Sequence, residues 1–372
     1  MATSFTPGLR VAESVTIVKE RKLPLRGNLV VKIGERVRFD QIVARTELPG
    51  AVYPVQVAHT LGIEASELSS AMSKKEKDRV KQGEIIAGTS SFFGIFKNEC
   101  HSPIEGFVES VSFRTGQVNL QKDPVPVEIN AFMDGEVIAL HEGEGVTVST
   151  RGAYIQGIFG IGGEAFGPLC VVSPDANHEL GAGDITPDLA GKIIVGGSGI
   201  TREAFFKARD LGVRAVIVGA FDNGHIREIL GYELGVAITG SESIGISLIL
   251  TEGFGRIPIT ARTWNLLKKL EGQHASVNGA TQIRAGVIRP EIVVPSLDGE
   301  LVEEKIATGE LSVGSEVRII RVPWFGATGV VSALPPEPRV IESGAKVRVL
   351  EVELLGGERV TLPRANIELI QK

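Results

Sequence analysis

The sequence predicts a multidomain α+β protein in which an all-β segment, an α/β segment and a second all-β segment follow one another. Length is the first reason, because 372 residues are more than twice a typical domain of about 150. Hydrophobic periodicity is the second, since it changes from β-type alternation to strand-helix repeats and back again. Composition is the third: 45 glycines favour turns, and 5% aromatic residues leave the cores to aliphatic side chains.

The amino-terminal segment, residues 1–145, is predicted to be an all-β domain. Its short apolar runs are separated by glycine turns, as in LVVKIGERV, QIVART and EIIAGT. Two phrases share a pattern, GERVRFDQIVA at residues 34–44 and KDRVKQGEIIA at residues 77–87. Between them, near residues 56–80, a helical insertion is predicted by the helical spacing of Leu61, Ile63, Leu68 and Met72.

Together with the later phrase SPIEGFVESV, these two phrases resemble the barrel-sandwich hybrid of biotinyl and lipoyl domains and of the RnfC proteins of Rnf complexes. The resemblance implies the fold and not the carrier function, because the hairpin tip beside Ser102 and Pro103 offers no lysine for modification. Lys97 lies several residues earlier and is interpreted as an ordinary surface lysine. The Cys-rich cluster motifs expected of RnfC proteins are also missing, since the chain has only Cys100 and Cys170.

Residues 146–295 are predicted to form an α/β domain with a parallel sheet, Rossmann-like or swivelling in type. The strand KIIVGG leads through SGIT into the helix REAFFKARDL, and VRAVIVGA leads through FDNG into HIREILGYEL. A third unit runs from SLILTEG to the helix TARTWNLLKKLEG. Continuous apolar strands joined by helices are typical of a sheet that is covered on both faces.

The loops that follow these strands are the candidate ligand site, because right-handed crossovers bring such loops to one edge of the sheet. Glycine N–H groups and Ser or Thr hydroxyls at helix starts can hold a phosphate, so the ligand would be a nucleotide or a flavin. The alternative, which we favour from the sequence, is that the glycines serve helix entries and tight turns, since GGSGITRE lacks the ending of a Walker motif. The candidate residues are Gly196, Gly197, Ser198, Gly199, Thr201, Asp222, Asn223 and Gly224.

Two arginines before the strand EIVVP, Arg284 and Arg289, are the remaining ligand candidates of this segment. Two guanidinium groups this close in sequence can clamp a phosphate or a carboxylate. They can equally cover an interface between domains. A similar pair of interpretations applies to His225 beside Asp222, contact with a ligand or simple capping of the helix by the aspartate, and we favour capping.

Residues 296–312 are predicted to be an acidic linker, and residues 313–372 a small all-β module. The phrase GSEVRIIRVPWFGATGVV resembles the KOW motif of NusG, of Spt-type elongation factors and of several ribosomal proteins, which implies an SH3-like barrel. It departs from the usual form at Val322, where many such motifs have glycine, and in the long proline-rich loop LPPEPRVIESG. KOW domains bind RNA or protein, and the resemblance places the contacts on Arg321, Pro323, Trp324, Phe325, Gly326 and Gly329.

Charge indicates which partner this module favours. Residues 313–372 contain eight basic and seven acidic side chains, and the whole chain has a net charge of −6. Because nonspecific nucleic-acid binding needs several phosphate contacts, nonspecific DNA binding is excluded and a protein or ribonucleoprotein partner with a small RNA footprint is expected. Trp324 and Phe325 at the turn can stack on a base or anchor a protein.

No catalytic residue, metal site or cofactor is predicted, because the six histidines are scattered singly and no nucleophile motif appears. The first residues, MATSFTPGLR, lack a basic stretch followed by an apolar run, and no run reaches the roughly 20 apolar residues that span a bilayer. A cytoplasmic protein without membrane insertion is therefore expected. Its expected function is that of a noncatalytic adaptor or scaffold. The alternative is an enzyme or an accessory protein of an enzyme that binds a nucleotide or flavin, because RnfC proteins and their relatives in the sodium-pumping quinone reductase have a similar domain order.

Overall fold

A computed structural model gives the fold and describes residues 9–90, 97–230, 244–281, 288–296, 311–320, 323–324, 326–340 and 346–370. Strands far exceed helices within these ranges, and the sheets contain both parallel and antiparallel pairs. The chain therefore belongs to the strand-rich α+β class that the sequence predicts.

The first strands of the chain pack around one core, and the chain then leaves that core to build a second one. Strands β4 (Ile42–Leu48) and β11 (Val125–Asn130) pair antiparallel with each other. Residues 49–124, which lie between them, are consequently an insertion carried by two adjacent strands. The other strands of the first core are β1 (Val11–Lys22), β2 (Asn28–Leu29), β3 (Arg36–Val37) and β12 (Gly135–His141).

The inserted residues have a hydrophobic core of their own, in which helices cover strands. Two short helices lie inside the segment for which the sequence predicts a helical insertion, and they contribute Val57, Leu61 and Leu68 to this core. The elements of the insertion are β5 (Val52–Val55), α1 (Val57–Leu61), α2 (Leu68–Ala71), β6 (Arg79–Val80), β7 (Ile85–Ser90), β8 (Lys97–His101), β9 (Gly106–Ser112) and β10 (Gln117–Gln121).

The middle of the chain alternates strands with helices, as the sequence predicts. Buried strands are followed by amphipathic helices whose apolar faces pack on the sheet. The elements are β13 (Gly145–Gln156), β14 (Phe159–Ile161), β15 (Glu164–Val171), β16 (Glu179–Leu180), β17 (Ile193–Val195), β18 (Gly199–Ile200), α3 (Arg202–Asp210), β19 (Ala215–Phe221), α4 (Asn223–Leu230), β20 (Ser247–Phe254), α5 (Ala261–Lys269), β21 (His274–Asn278) and β22 (Glu291–Pro295).

One mixed sheet runs through the middle of the molecule in the order β14-β20-β19-β17-β15-β21-β22-β13-β12-β3, with β1 also paired to β13. Its strands β15, β17, β19 and β20 are mutually parallel. Helices α3 and α4 cover one face of these strands, where Phe205 and Ile226 are fully buried, and α5 covers the other face with Leu267. This is the arrangement in which ligands bind at the carboxyl edge of the strands.

Strand β13 belongs to both of the first two parts of the chain. It begins at Gly145, next to the predicted domain boundary, and pairs with β1 and β12 from the amino-terminal part. Its second half, Gly152–Gln156, pairs with β22. The amino-terminal and central parts therefore share one continuous sheet across the position where the sequence predicts a boundary.

The last part of the chain forms a five-stranded antiparallel sheet in the order β28-β27-β24-β23-β29. Inward positions alternate with outward ones, so that Val317 and Ile319 are fully buried in a separate small core while Arg318 faces the central part of the chain. The strands of this sheet are β23 (Glu316–Ile319), β24 (Thr328–Ala333), β27 (Val349–Leu354), β28 (Arg359–Pro363) and β29 (Ile367–Leu369). A separate two-stranded sheet is formed by β25 (Arg339–Val340) and β26 (Lys346–Val347).

Candidate functional site

Three polar loops of the central segment, two of which contain the candidate residues predicted from the sequence, lie at one edge of the sheet. Each follows the carboxyl end of one of the adjacent parallel strands β17, β19 and β20. Because parallel strands end on the same side, Gly197, Asp222 and Gly253 belong to a common edge. This edge is the candidate functional site of the central part of the chain.

The first loop is closed by protein. Residues 196–200 are buried, and the N–H groups of Gly196 and Ser198 donate to Ile217 O at 2.8 Å and to His178 O at 2.9 Å. A Cβ placed on Gly197 would lie 2.4 Å from His178 O, so the chain passes directly above this glycine. The glycines allow this close approach, and the two N–H groups already have protein acceptors.

A loop at residues 173–184 provides that cover and is held by its own side chains. Asp175 Oδ1 accepts hydrogen bonds from Asn177 N at 2.7 Å and His178 N at 3.1 Å. Asp184 Oδ2 accepts from Gly181 N at 2.8 Å and lies 3.0 Å from His178 Nε2. The hydrogen bond with the His178 ring, followed by that from Gly181 N, lowers the pKa of Asp184.

A carboxyl whose pKa is lowered in the folded protein stabilises the fold above its unfolded pKa and loses this contribution as the pH falls through the folded pKa. We therefore expect Asp184→Asn to unfold at lower urea than the parent protein at pH 7, and the gap to close as the pH falls below about 3.9, the usual aspartate value. Urea midpoints across this pH range measure the gap. Glu105→Gln, at an exposed position, is the control; an equal gap at all pH values would contradict the assignment.

Two polar residues of the loops are helix caps. Thr201 is the N-cap of α3, and its hydroxyl accepts from Ala204 N at 3.3 Å. Asp222 Oδ1 accepts from Gly224 N at 2.7 Å at the start of α4, the capping role that we favour from the sequence. The ring of His225 lies 5.8 Å from that of Phe221. Gly199 pairs with Glu179 between β16 and β18, and the side chain of Asn223 lies outside the described residues.

The third loop differs, because its carboxylate is buried and reaches another part of the chain. Glu252 is 5% exposed at the end of β20. Its Oε1 accepts from Thr260 N at 3.0 Å at the start of α5, and its Oε2 accepts from Arg318 Nη2 at 2.8 Å. A carboxylate at a helix start is favourable, and here it also anchors the carboxy-terminal sheet.

Glu252 is the first member of a buried chain of four alternating charges, Glu252, Arg318, Glu368 and Arg289. Arg318 Nη1 donates to Glu368 Oε1 at 2.9 Å, and Arg289 Nη2 lies 2.5 Å from Glu368 Oε2. None of the four side chains is more than 9% exposed. Arg289, a ligand candidate from the sequence, therefore contacts the carboxylate of another segment, whereas Arg284 lies outside the described residues.

The charge chain is incompletely hydrogen-bonded. Arg318 Nε, Arg289 Nη1 and Glu368 Oε2 are buried without a hydrogen-bond partner, although 2.5 Å separates that oxygen from Arg289 Nη2. A cavity of about 40 Å³ lies beside it, lined among others by Gln156 and Thr263. A space of this size holds only a few waters. The arrangement joins the central part of the chain to the carboxy-terminal sheet, and burial makes each of its charges dependent on the others.

The turn of the carboxy-terminal module contacts the central part of the chain. A Cβ on Gly326 would lie 2.8 Å from Phe254 Cδ2, so this glycine permits the contact. Pro323 is exposed, and Trp324 is half-buried against the small core of the module. Gly329 is buried, with Glu353 O next to it. Arg321 and Phe325 lie outside the described residues.

The outward face of strands β24 and β27 remains exposed beside this contact. Val330 is 41% exposed, and Leu355, in the turn between β27 and β28, is 83% exposed. The register pairs Val330 with Glu353, and Leu355 N lies 3.3 Å from Thr328 O. These apolar side chains are therefore neighbours on one face.

The roles of Arg318 and Glu368 are not predicted by the sequence. Both lie at outward positions of alternating strands, EVRII and IELI, where a charged residue usually faces water. The weak signal is that each stands in a run otherwise rich in Ile and Val. Only the docking of the module explains why they are buried.

In the described ranges, no three side chains among His, Cys, Asp and Glu come together as they would around a metal ion. Every helix of those ranges falls short of the length and apolar character needed to cross a membrane.

Comparison with known proteins gives no relative: no protein-family model matches the chain, and neither does any curated protein.

Proposed function

We propose that this chain is a noncatalytic adaptor that docks a protein or ribonucleoprotein partner through its carboxy-terminal module. The observation that carries the proposal is the buried charge chain, which fixes the module by one face and leaves the face with Val330 and Leu355 exposed. A module held in this way presents a binding surface in a fixed orientation.

The strand order supports a KOW-type, SH3-like barrel in this proposal. Strands β23, β24, β27 and β28 form a meander, and β29 returns to pair with β23. Tight turns occur at Gly326 and Gly357, both with positive φ. In the same proposal, the amino-terminal part is a barrel-sandwich hybrid and the central part is a Rossmann-like or swivelling domain. Together they support the carboxy-terminal module.

Charge pairing on the barrel favours a protein over bare RNA. Arg339 lies 3.6 Å from Glu351, and Arg359 lies 2.9 Å from Glu353. Guanidinium groups paired in this way are less available for phosphates. The apolar side chains next to them suit a protein surface.

The glycine loops contribute structure in this proposal. The N–H groups of Gly196 and Ser198 have protein acceptors, and Thr201 and Asp222 cap helices. We therefore assign them no nucleotide or flavin, and we assign the chain no reaction.

The test is the double variant Val330→Ser/Leu355→Ser in the tagged full chain, captured from its own cells after mild cross-linking. We expect at least about tenfold less partner, since a few side chains near the centre of an interface contribute most of its binding energy. The matched control, Val18→Ser/Ile85→Ser, changes side chains that are 51% and 39% exposed elsewhere. Nuclease treatment before capture separates a protein partner from a ribonucleoprotein. Equal partner recovery by both double variants would overturn the proposal.

A further inference from the structure

Residues 29–44 and 72–87 have the same local structure, with a constant offset of 43 positions. Val30 N donates to Val43 O at 3.0 Å, and Ser73 N donates to Ile86 O at 3.0 Å. The turns also coincide: in each, a lysine N–H is held by the carboxylate three residues later, Lys32 by Glu35 and Lys75 by Asp78. The similar phrases in the sequence therefore reflect a structural repeat.

The repeat continues in the second half of each unit. Val137 N donates to Glu35 O, and Val108 N donates to Asp78 O, both at 2.9 Å. Strand β12 pairs with β13 as β9 pairs with β10, and each pair has a β-bulge, at Ile138 and at Glu109. Two copies of one module are consequently nested, the outer module (residues 29–48 and 126–149) around the inner module (residues 72–90 and 97–121).

Core positions are apolar and buried in both modules. Val37 and Val80, and Val137 and Val108, are all at most 3% exposed. Because the backbones match, each module serves as an internal comparison for the surface of the other. Where equivalent surface positions carry different residues, the difference indicates a function that only one of the two modules has.

The surfaces differ at the bulge. The inner module has polar residues there, Ser73, Glu76 and Glu109, whereas the outer module has apolar ones. These apolar side chains are exposed, Val30 by 42%, Ile33 by 65% and Ile138 by 47%. Water-facing Ile and Val at positions where the same fold carries Ser and Glu indicate a contact surface.

The inner module shows which strand residue lies next to Ile33. In the inner module Glu76 Oε1 accepts from Val111 N at 3.1 Å, which places the side chain at this position over the strand after the bulge. The matching residues of the outer module are Ile33 and Leu140, and Leu140 is 37% exposed. Ile33 is therefore placed beside Leu140, and these two residues together with the exposed Val30 and Ile138 of the same module are called the outer-module patch.

The size and charge of the patch define its occupant. Four partly exposed side chains offer on the order of a few hundred Å², well below the roughly 800 Å² per protomer of a standard dimer interface. The charged neighbours are balanced, with Lys32 and Arg36 beside Glu35 and Glu136. Strand β3, at the end of the long sheet, pairs with β12 alone among the described strands.

We propose that the outer-module patch docks a short, uncharged, extended apolar segment of another protein, which lies along the β3 edge. Backbone pairing at a sheet edge and apolar pockets beside it are a known combination for binding extended segments. This surface is separate from the carboxy-terminal barrel, so it would give the proposed adaptor a second binding site. The inference does not depend on the barrel binding anything.

The experiment introduces a photo-cross-linking amino acid, p-benzoylphenylalanine, in place of Ile33 in the full chain within its own cells. The matched control carries it in place of Glu76, the equivalent inner-module position. We expect at least about tenfold more cross-linked product from position 33, joined to a peptide of another protein that mass spectrometry identifies as apolar and uncharged. Adding Ile138→Glu should remove this product.

Three results would overturn the proposal: equal products from positions 33 and 76, no product from position 33, or a product with a second copy of this chain. A charged partner peptide would overturn the assigned chemistry. The Val330→Ser/Leu355→Ser variant should give the same product at position 33. The failure of one proposal is therefore distinguishable from the failure of the other.

Discussion

Replacing Arg318 by methionine is expected to lower the free energy of unfolding by about 3–5 kcal/mol, because it leaves two buried carboxylates without their shared partner. Both Glu252 and Glu368 bind this guanidinium, at 2.8 and 2.9 Å. Urea unfolding followed by tryptophan fluorescence measures the change, and amide exchange in β23 reports whether the carboxy-terminal sheet has undocked. Arg359→Met is the control, since its partner Glu353 is 46% exposed and an exposed pair contributes about 0–1 kcal/mol.

A second variant separates charge from packing. Replacing all four members of the charge chain by Leu or Met removes its four charges together, and such replacements are often neutral or stabilising. We expect this quadruple variant to recover most of the stability that Arg318→Met loses. If it is as unstable as the single variant, the ion pairs do not account for the loss. The loss of stability would then come mainly from disturbed apolar contacts around Ile320.

Gly197→Ala is expected to destabilise the protein by about 1–3 kcal/mol, because the new methyl group overpacks a closed site. The added carbon would lie 2.4 Å from His178 O and 2.5 Å from Asp175 O, and both atoms are backbone. Thermal unfolding and amide exchange at Ser198 measure the effect.

The matched control for this substitution is Gly183→Ala. Gly183 lies in the covering loop, where an added Cβ meets nothing within 4 Å. We expect its melting temperature to stay near that of the parent protein, or to rise slightly because the unfolded chain loses freedom. If Gly197→Ala is as stable as Gly183→Ala, the loop at residues 173–184 moves aside readily and the first loop is open to a ligand.

Local elements follow from the sequence because local interactions determine them. The helical spacing of apolar residues in REAFFKARDL predicts helix α3. The structure confirms this helix at Arg202–Asp210, with Ala204, Phe205 and Ala208 buried. Its N-cap, Thr201, can also be identified from residue type alone. The same holds for α5, whose buried Trp264 and Leu267 are spaced as on one helical face.

Long-range pairing does not follow from the sequence in the same way. Nothing near β13 indicates that its neighbours are β1 and β22, since a strand of alternating apolar residues can pair with many others. In the sequence, Arg318 and Glu368 look like ordinary outward charges, because their burial depends on the docking of the carboxy-terminal sheet. For Arg289 the sequence leaves two interpretations open, and only the position of Glu368 distinguishes them.

The nested modules impose an order on folding during synthesis. The inner module is complete once residue 121 has left the ribosome, but the outer module must wait until residue 149. The second half of β13 gains its partner β22 later still, because β22 ends at Pro295. At about 10 residues per second this leaves a strand edge uncovered for roughly 15 seconds. A nascent chain of this protein thus exposes an unpaired sheet edge, which can pair with other chains, throughout the synthesis of its central part. A chaperone would be most useful during this period.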